Sequence, residues 1–140
     1  ACSPANGKRF PMSLSETQRA FLDQRHYAVI GTLNADGSIQ QTVVWYLLDG
    51  DVVRISIGAA SVKARNLQRN PTIALTVEDG VRYLTLSGTA TVEPADPELR
   101  QRLAARYLPP ERVEEWLARR PDAARASIRM TIVKVYGQSV

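Results

Sequence analysis

A mainly β domain is predicted, an antiparallel barrel of six strands with short flanking helices. Three observations predict it. Strand-length apolar runs and period-two alternations recur along the chain, joined by Asn-Ala-Asp-Gly, Asp-Gly and Glu-Asp-Gly turns. A single helix parts the third strand from the fourth and a helical pair precedes the sixth, which is not the strand–helix alternation of a parallel sheet. The 140 residues, 44% apolar and 23% charged, suit one domain large enough to bury a core.

The elements follow in order. Residues 1–12 are read as an arm outside the fold, which leaves 13–140 as a single domain. Ser15-Glu16-Thr17-Gln18 is a capping-box pattern; it opens a helix to about Arg25, with Leu14, Ala20, Phe21 and Leu22 available for burial. His26 to Leu33 is a nearly continuous apolar run, which predicts a strand buried on both faces. Asn34-Ala35-Asp36-Gly37 turns the chain into a second strand, Ser38 to Leu48. Asp49-Gly50 turns it again into a third, Asp51 to Ile57. Gly58 breaks that strand, and Ser61 to Asn70 is a short helix stopped by Pro71.

Thr72 to Val77 and Tyr83 to Val92 alternate with period two. Gly88 inside the second of these predicts a bulge or a close backbone approach. Asp96-Pro97-Glu98 starts a helix with an Asp cap and Pro at its first position, running to about Leu108 with Leu99, Leu103 and Tyr107 on one stripe. Pro109-Pro110 separates it from a second helix carrying Val113, Trp116 and Leu117. Ser127 to Tyr136 is the last strand, and its apolar parity shifts after Ile132, which predicts a bulge or burial on both faces.

Composition excludes several chemistries. With one Cys (Cys2) and one His (His26), neither an internal disulfide nor a Cys/His zinc cluster can form, and no metal is expected. His26 is expected to bond locally. An enzyme with so few reactive side chains borrows its reactive group from a cofactor. No apolar run approaches a membrane span and residues 1–12 have no signal-like apolar core, so a cytoplasmic protein without a membrane partner is expected. The net charge is +4. A nucleic-acid-binding barrel would interleave aromatic with basic residues on one sheet; these strands carry mostly Val, Ile and Thr.

One segment departs from this balance. Between Asp51 and Glu78 there is no acidic residue, while Arg54, Lys63, Arg65 and Arg69 all lie there. Lys63 falls in the first turn of the helix that Ser61 caps, where a cation opposes the helix dipole. An anion would pair with Lys63 and accept from the Ser61 hydroxyl and the free amides. Gly58-Ala59-Ala60 is small enough for a phosphate to approach the backbone, and Asn66 shares the Lys63 face. Taken locally, a solvated basic helix with an ordinary Ser cap fits at least as well.

The run Ile55-Ser56-Ile57-Gly58-Ala59-Ala60-Ser61-Val62-Lys63-Ala64-Arg65-Asn66-Leu67-Gln68-Arg69-Asn70-Pro71 resembles the cofactor segment of the pyridoxamine-5′-phosphate-oxidase-like split-barrel proteins. It is most similar to the branch that uses the deazaflavin F420. Ala28 to Gly37, Val43-Val44-Trp45-Tyr46 and Val135-Tyr136-Gly137 match in the same order. The resemblance implies a homodimer of FMN-binding-type split barrels with a cofactor in each interface cleft. It implies that Lys63, Ser61 and Asn66 bind the cofactor phosphate with Arg65 nearby, that Ser56 and Ile57 line tail and ring, and that Gln41, Thr42, Val43 and Val44 lie along the ring. Relatives often carry a polar residue where Val43 stands. The implied activity is F420-dependent reduction of a conjugated small-molecule acceptor. An FMN-dependent oxidoreductase and a non-catalytic flavin or F420 carrier are the alternatives. Arg54, Arg65 and Arg69 are candidates for an anionic tail, or solvated charges. Tyr46, Tyr83 and Tyr136 are candidate proton donors, or structural tyrosines. Trp45 and Trp116 either wall a substrate site or pack internally. The apolar stretch Val43 to Leu48 meets either a partner subunit or the two C-terminal helices.

Overall fold

The second predicted strand is two strands. The computed structural model describes residues 12–140. Its elements are α1 (Glu16–Asp23), β1 (Ala28–Leu33), β2 (Ile39–Val44), β3 (Leu47–Asp49), β4 (Val52–Gly58), α2 (Val62–Arg69), β5 (Thr72–Glu78), β6 (Tyr83–Pro94), α3 (Pro97–Tyr107), α4 (Pro110–Ala118) and β7 (Arg125–Gln138), with a 3₁₀ turn at Asp122–Ala124. Six strands therefore become seven, because the chain leaves the ladder at Trp45-Tyr46. The cause is a side chain from far along the sequence. The Tyr107 hydroxyl accepts from the Tyr46 N–H at 3.3 Å and donates to the His26 carbonyl at 2.6 Å. Tyr46 thus satisfies its backbone away from any strand.

All seven strands form one antiparallel sheet in the order β2-β1-β5-β6-β7-β4-β3. Its two edges, β2 and β3, are consecutive in the chain and unpaired with each other. Two linking residues let the strand ends stand no more than about 11 Å apart, so the link draws the edges together and the sheet curls into a barrel that stays split there. Ile30, Ile55, Leu75, Leu86, Ile128 and Ile132 fill its interior, and Phe21 and Leu22 of α1 pack onto the same core. Leu99, Leu103 and Tyr107 make a second cluster with Leu47 and Trp45, which holds α3 beside β3.

Local signals hold well. The Ser15 capping box forms, with the Gln18 N–H donating to Ser15 Oγ at 3.1 Å and Gln18 Oε1 accepting from the Ser15 N–H at 3.0 Å. Asp96 caps α3 through the Leu99 N–H. The expected bulge lies where β6 pairs β7, with Val133 skipped opposite Ser87 and Gly88. Of the arm expected over residues 1–12, residues 1–11 lie outside the described residues. Met12 belongs to the fold, its N–H donating to the Ile132 carbonyl at 3.0 Å.

One burial expectation is corrected. β1 is covered on one face only, since its alternate residue Val29 is exposed. Val29 pairs with Val43, which is 66% exposed. The C-terminal helices cover β3 and Trp45 instead, so they do not account for the apolar outer face of β2.

Arg54 is nearly fully buried and sits within reach of Asp96 (3.4 Å), Asp49 (3.7 Å) and Glu93 (4.0 Å). Arg102 adds a two-pronged grip on Asp49 at 3.1 and 2.8 Å. These donors hold Asp49 below its ordinary value of 3.8, Arg102 contributing most. The Leu99 N–H, assisted by Arg54, does the same for Asp96. A carboxylate depressed in the fold stabilises it above the ordinary pKa, and that stabilisation is lost as pH falls through the depressed value. Tm scanned from about pH 5 down to about pH 2.5 should therefore drop, and Arg102→Ala should make the drop shallower. Equal slopes would remove the Asp49 pairing from the acid sensitivity.

Candidate functional site

The site begins with how α2 starts. Ser61, in extended conformation, accepts the Ala64 N–H on its Oγ at 3.2 Å. Its own hydroxyl proton stays available. The first turn holds no acid, and the amides of Val62 and Lys63 have no helical acceptor. The small loop ahead of it is fixed from two sides. The Ala59 N–H donates to the Ala124 carbonyl at 2.9 Å, and Arg65 Nη1 donates to the Ala60 carbonyl at 2.9 Å.

A cavity of about 330 Å³ opens where this helix end meets the ends of β2 and β4, the start of β7, and helices α3 and α4. One end is polar, with Ser56, Lys63, Arg100 and Arg125. The rest is apolar, with Val43, Val44, Ile57 and Leu103 among Tyr27, Trp45 and Trp116. The aromatic wall is rigid by stacking: Trp45 lies 4.9 Å from both Trp116 and Tyr107, and Tyr107 lies 5.6 Å from Tyr27. Arg120 caps its outer end, 4.4 Å above the Trp116 ring.

Among the described residues no acid lines this cavity. Arg100, 4% exposed, is neutralised by Asp122 and also donates to the Arg120 carbonyl. Among the described residues, Lys63 and Arg125 have no such partner. Burial holds the Lys63 ammonium below its ordinary range, and the positive Arg125 adds to the effect. Burial likewise lowers Arg125, with Arg100 and Arg120 adding to it. A half-buried, acid-free pair of cations favours an anionic ligand by relieving both penalties.

The structure gathers Lys63, Ser56, Ile57, Val43 and Val44 around this cavity, with Ser61 two residues away on the helix cap. Asn66 is not brought there. Its Nδ2 donates to Thr32 Oγ1 at 3.0 Å and Asn34 Oδ1 at 2.9 Å, and its Oδ1 accepts from Arg69 at 2.8 Å. Its amide ties α2 to β1 and to Arg69. Arg65 is exposed and occupied with Ala60. Gln41 lines a different hollow, about 430 Å³, on the outer face of the sheet with Gly31, Ala74 and Ser87. Thr42 shares the inward-facing parity of Val44, and its buried Oγ1 has no hydrogen-bond partner.

The tail candidates and tyrosines resolve in the same way. Arg54 is spent on its three carboxylates, and Arg69 donates to the Leu33 carbonyl at 2.6 Å. Tyr46 is fully buried and donates to the Leu22 carbonyl at 2.7 Å; burial pushes its phenol well above the ordinary range. Tyr83 and Tyr136 lie toward the far end of the β6–β7 ladder from Arg125. His26 bonds Gln24 at 3.2 Å, as a local residue should. Trp45 and Trp116 do wall the cavity. Arg125, Arg100 and Tyr27 were not legible, because the pairing of β7 with β4 that brings Arg125 to Gly58 is set by a register no local pattern announces.

The family model for pyridoxamine 5′-phosphate oxidase matches residues 14–139. An F420H2-dependent biliverdin reductase of Mycobacterium tuberculosis is 34% identical, the match covering 90% of this chain and 89% of that protein. Among solved structures, an F420 reductase superposes with a TM-score of 0.71 at 24% identity, covering 88% of this chain and 98% of that one. An oxidase-like protein of Listeria innocua superposes with a TM-score of 0.67 at 17% identity, over 86% and 94% of the two chains.

Proposed function

The chain belongs to the pyridoxamine 5′-phosphate oxidase family, and from that premise we propose that it is an F420-dependent reductase acting on a conjugated small-molecule acceptor. One observation carries the reading: a single cavity joins an acid-free pair of cations to a stacked aromatic wall. The cationic end suits the phosphorylated chain of the cofactor, and the apolar end suits a planar ring and a planar acceptor beside it. The 34% identical reductase, whose acceptor is biliverdin, supports both cofactor and acceptor class. When bound, reduced F420 supplies a hydride equivalent to an electron-poor acceptor.

The chain's own residues bind, orient and exclude water. Lys63, the Ser61 hydroxyl and the amides of Val62 and Lys63 take the phosphate. Ile57, Val43 and Val44, which line the cavity, would hold the ring. Trp45 and Trp116 supply a dry face for the acceptor, which holds the reacting groups in register. Proton delivery falls to no tyrosine singled out from the sequence, since none of those three lines the cavity.

The proposal includes a homodimer. A cavity of about 330 Å³ stands at the lower end of the roughly 300–1,000 Å³ of ligand clefts, and it opens beside the exposed Val43, Val29 and Tyr27. A second copy covering that face would complete the walls. Light scattering at micromolar concentration should report a dimer. Titration with F420 and with FMN, followed by Trp fluorescence, should give the tighter binding for F420. Incubation with reduced F420 and biliverdin should regenerate the oxidised deazaflavin chromophore. Tighter binding of FMN would move the protein to the FMN-dependent reading, and binding without turnover over a panel of conjugated acceptors would move it to the carrier.

A further inference from the structure

Arg125 is the first residue of β7, and the register sets it directly across from Gly58, the last residue of β4. Gly58 begins the loop that leads to Ser61 and Lys63. The Ala59 N–H bond to the carbonyl of Ala124 makes loop and strand start one unit. The Arg125 guanidinium folds back onto Ser56, its Nη2 and Nε lying 3.2 and 3.4 Å from Ser56 Oγ. These are long bonds to one neutral hydroxyl.

Other inward-lying arginines are matched. Arg54 meets three carboxylates, Arg100 meets Asp122 and a carbonyl, and Arg106 donates to the carbonyls of Leu22, Asp23 and Gln24 at the end of α1. Arg125 meets no carboxylate among the described residues, and residues 1–11 contain no Asp or Glu that could supply one. Ser56 accepts but cannot neutralise. A half-buried fork of donors with so weak a partner, facing a cavity it shares with Lys63, is matched to an anion with several oxygens.

We propose that Arg125 is a ligand-binding residue of this cavity, gripping the phosphorylated chain of the cofactor together with Lys63, and that Ser56 is the resting partner of its guanidinium rather than a cofactor ligand. The inference rests on the F420 reading above and adds a residue 62 positions beyond Lys63 to the anion site.

The test compares F420 with its deazaflavin chromophore stripped of phosphate and tail, titrated by Trp fluorescence. Arg125→Ala should weaken F420 by about tenfold or more and leave the stripped chromophore unchanged. Arg125→Lys, which keeps the charge and loses the fork, should recover part of the loss. Ser56→Ala should weaken F420 clearly less than Arg125→Ala does, because it removes only a neutral hydroxyl. Undiminished F420 affinity in Arg125→Ala would overturn the proposal, and so would an equal loss for both ligands, which marks a structural role. A Ser56→Ala loss as large as that of Arg125→Ala would return Ser56 to the ligand set. An unmodified protein that binds neither compound overturns the cofactor reading itself, a result distinct from failure of the arginine alone.

Discussion

Lys63→Ala is expected to weaken F420 binding by about 1.5–3 kcal/mol, roughly 10- to 150-fold in Kd, while leaving the fold as stable as before or slightly more so. The two halves of this result have the same origin. Without ligand, the Lys63 ammonium is partly desolvated and lies near a second cation, so its charged form is penalised. It also stands in the first turn of α2, where the helix dipole disfavours a positive charge by a few tenths of a kcal/mol. Removing it relieves both. With an anion in place the same features reverse sign, because the charge, the Ser61 hydroxyl and the free amides converge on one ligand. Fluorescence titration measures the affinity and thermal unfolding the stability. A variant that binds normally would exclude Lys63 from the site, and one that melts far below the parent would make it a structural residue.

Gly88→Ala should be the more damaging substitution for folding, costing on the order of 3–5 kcal/mol. A Cβ at position 88 would stand 1.9 Å from the Thr131 carbonyl oxygen and 3.0 Å from the carbon of the same group. Both obstacles are backbone, so no rotamer change relieves the clash. The position sits at the β6–β7 bulge, where Gly88 pairs Ile132 and the register slips past Val133. Moving Thr131 aside would strain the ladder it makes with Thr89 and Val52. Gly37→Ala is the control. Gly37 has a φ of +87°, but its added Cβ would meet nothing within 4 Å, so only the backbone penalty of about 1–2 kcal/mol applies. Urea denaturation of the two variants should rank them clearly. A Gly88→Ala protein as stable as the control would show that the bulge relaxes at little cost.

What could be read before folding was local. Ser15 and Asp96 announced their caps because a short acceptor side chain before a helical run has one favourable use. Gly88 announced a close approach because a strand interior without a side chain is otherwise unfavourable. Ser61, Lys63 and the missing acids were legible for the same kind of reason, a charge placed against a dipole, and the structure sets Lys63 at the acid-free end of the cavity. Local pattern does not say which of several distant partners a polar group takes. Asn66 shares a helix face with Lys63, yet its amide is claimed by Thr32 and Asn34. Arg54 looked free for a ligand, yet the curl of the sheet surrounds it with Asp49, Glu93 and Asp96.

By itself, then, the sequence determined the alternation that makes strands, the caps and turns that bound them, and the basic helix start that calls for an anion. These depend on neighbours within one turn or one hairpin, where covalent geometry leaves few choices. Only the tertiary structure decided where the second strand breaks, because the hydroxyl that frees Tyr46 from the ladder comes from Tyr107, 61 residues away. It alone set Arg125 beside Gly58 and turned Trp45 and Trp116 into one wall. Long-range register is selected by the whole core at once, and no short stretch of chain contains that information.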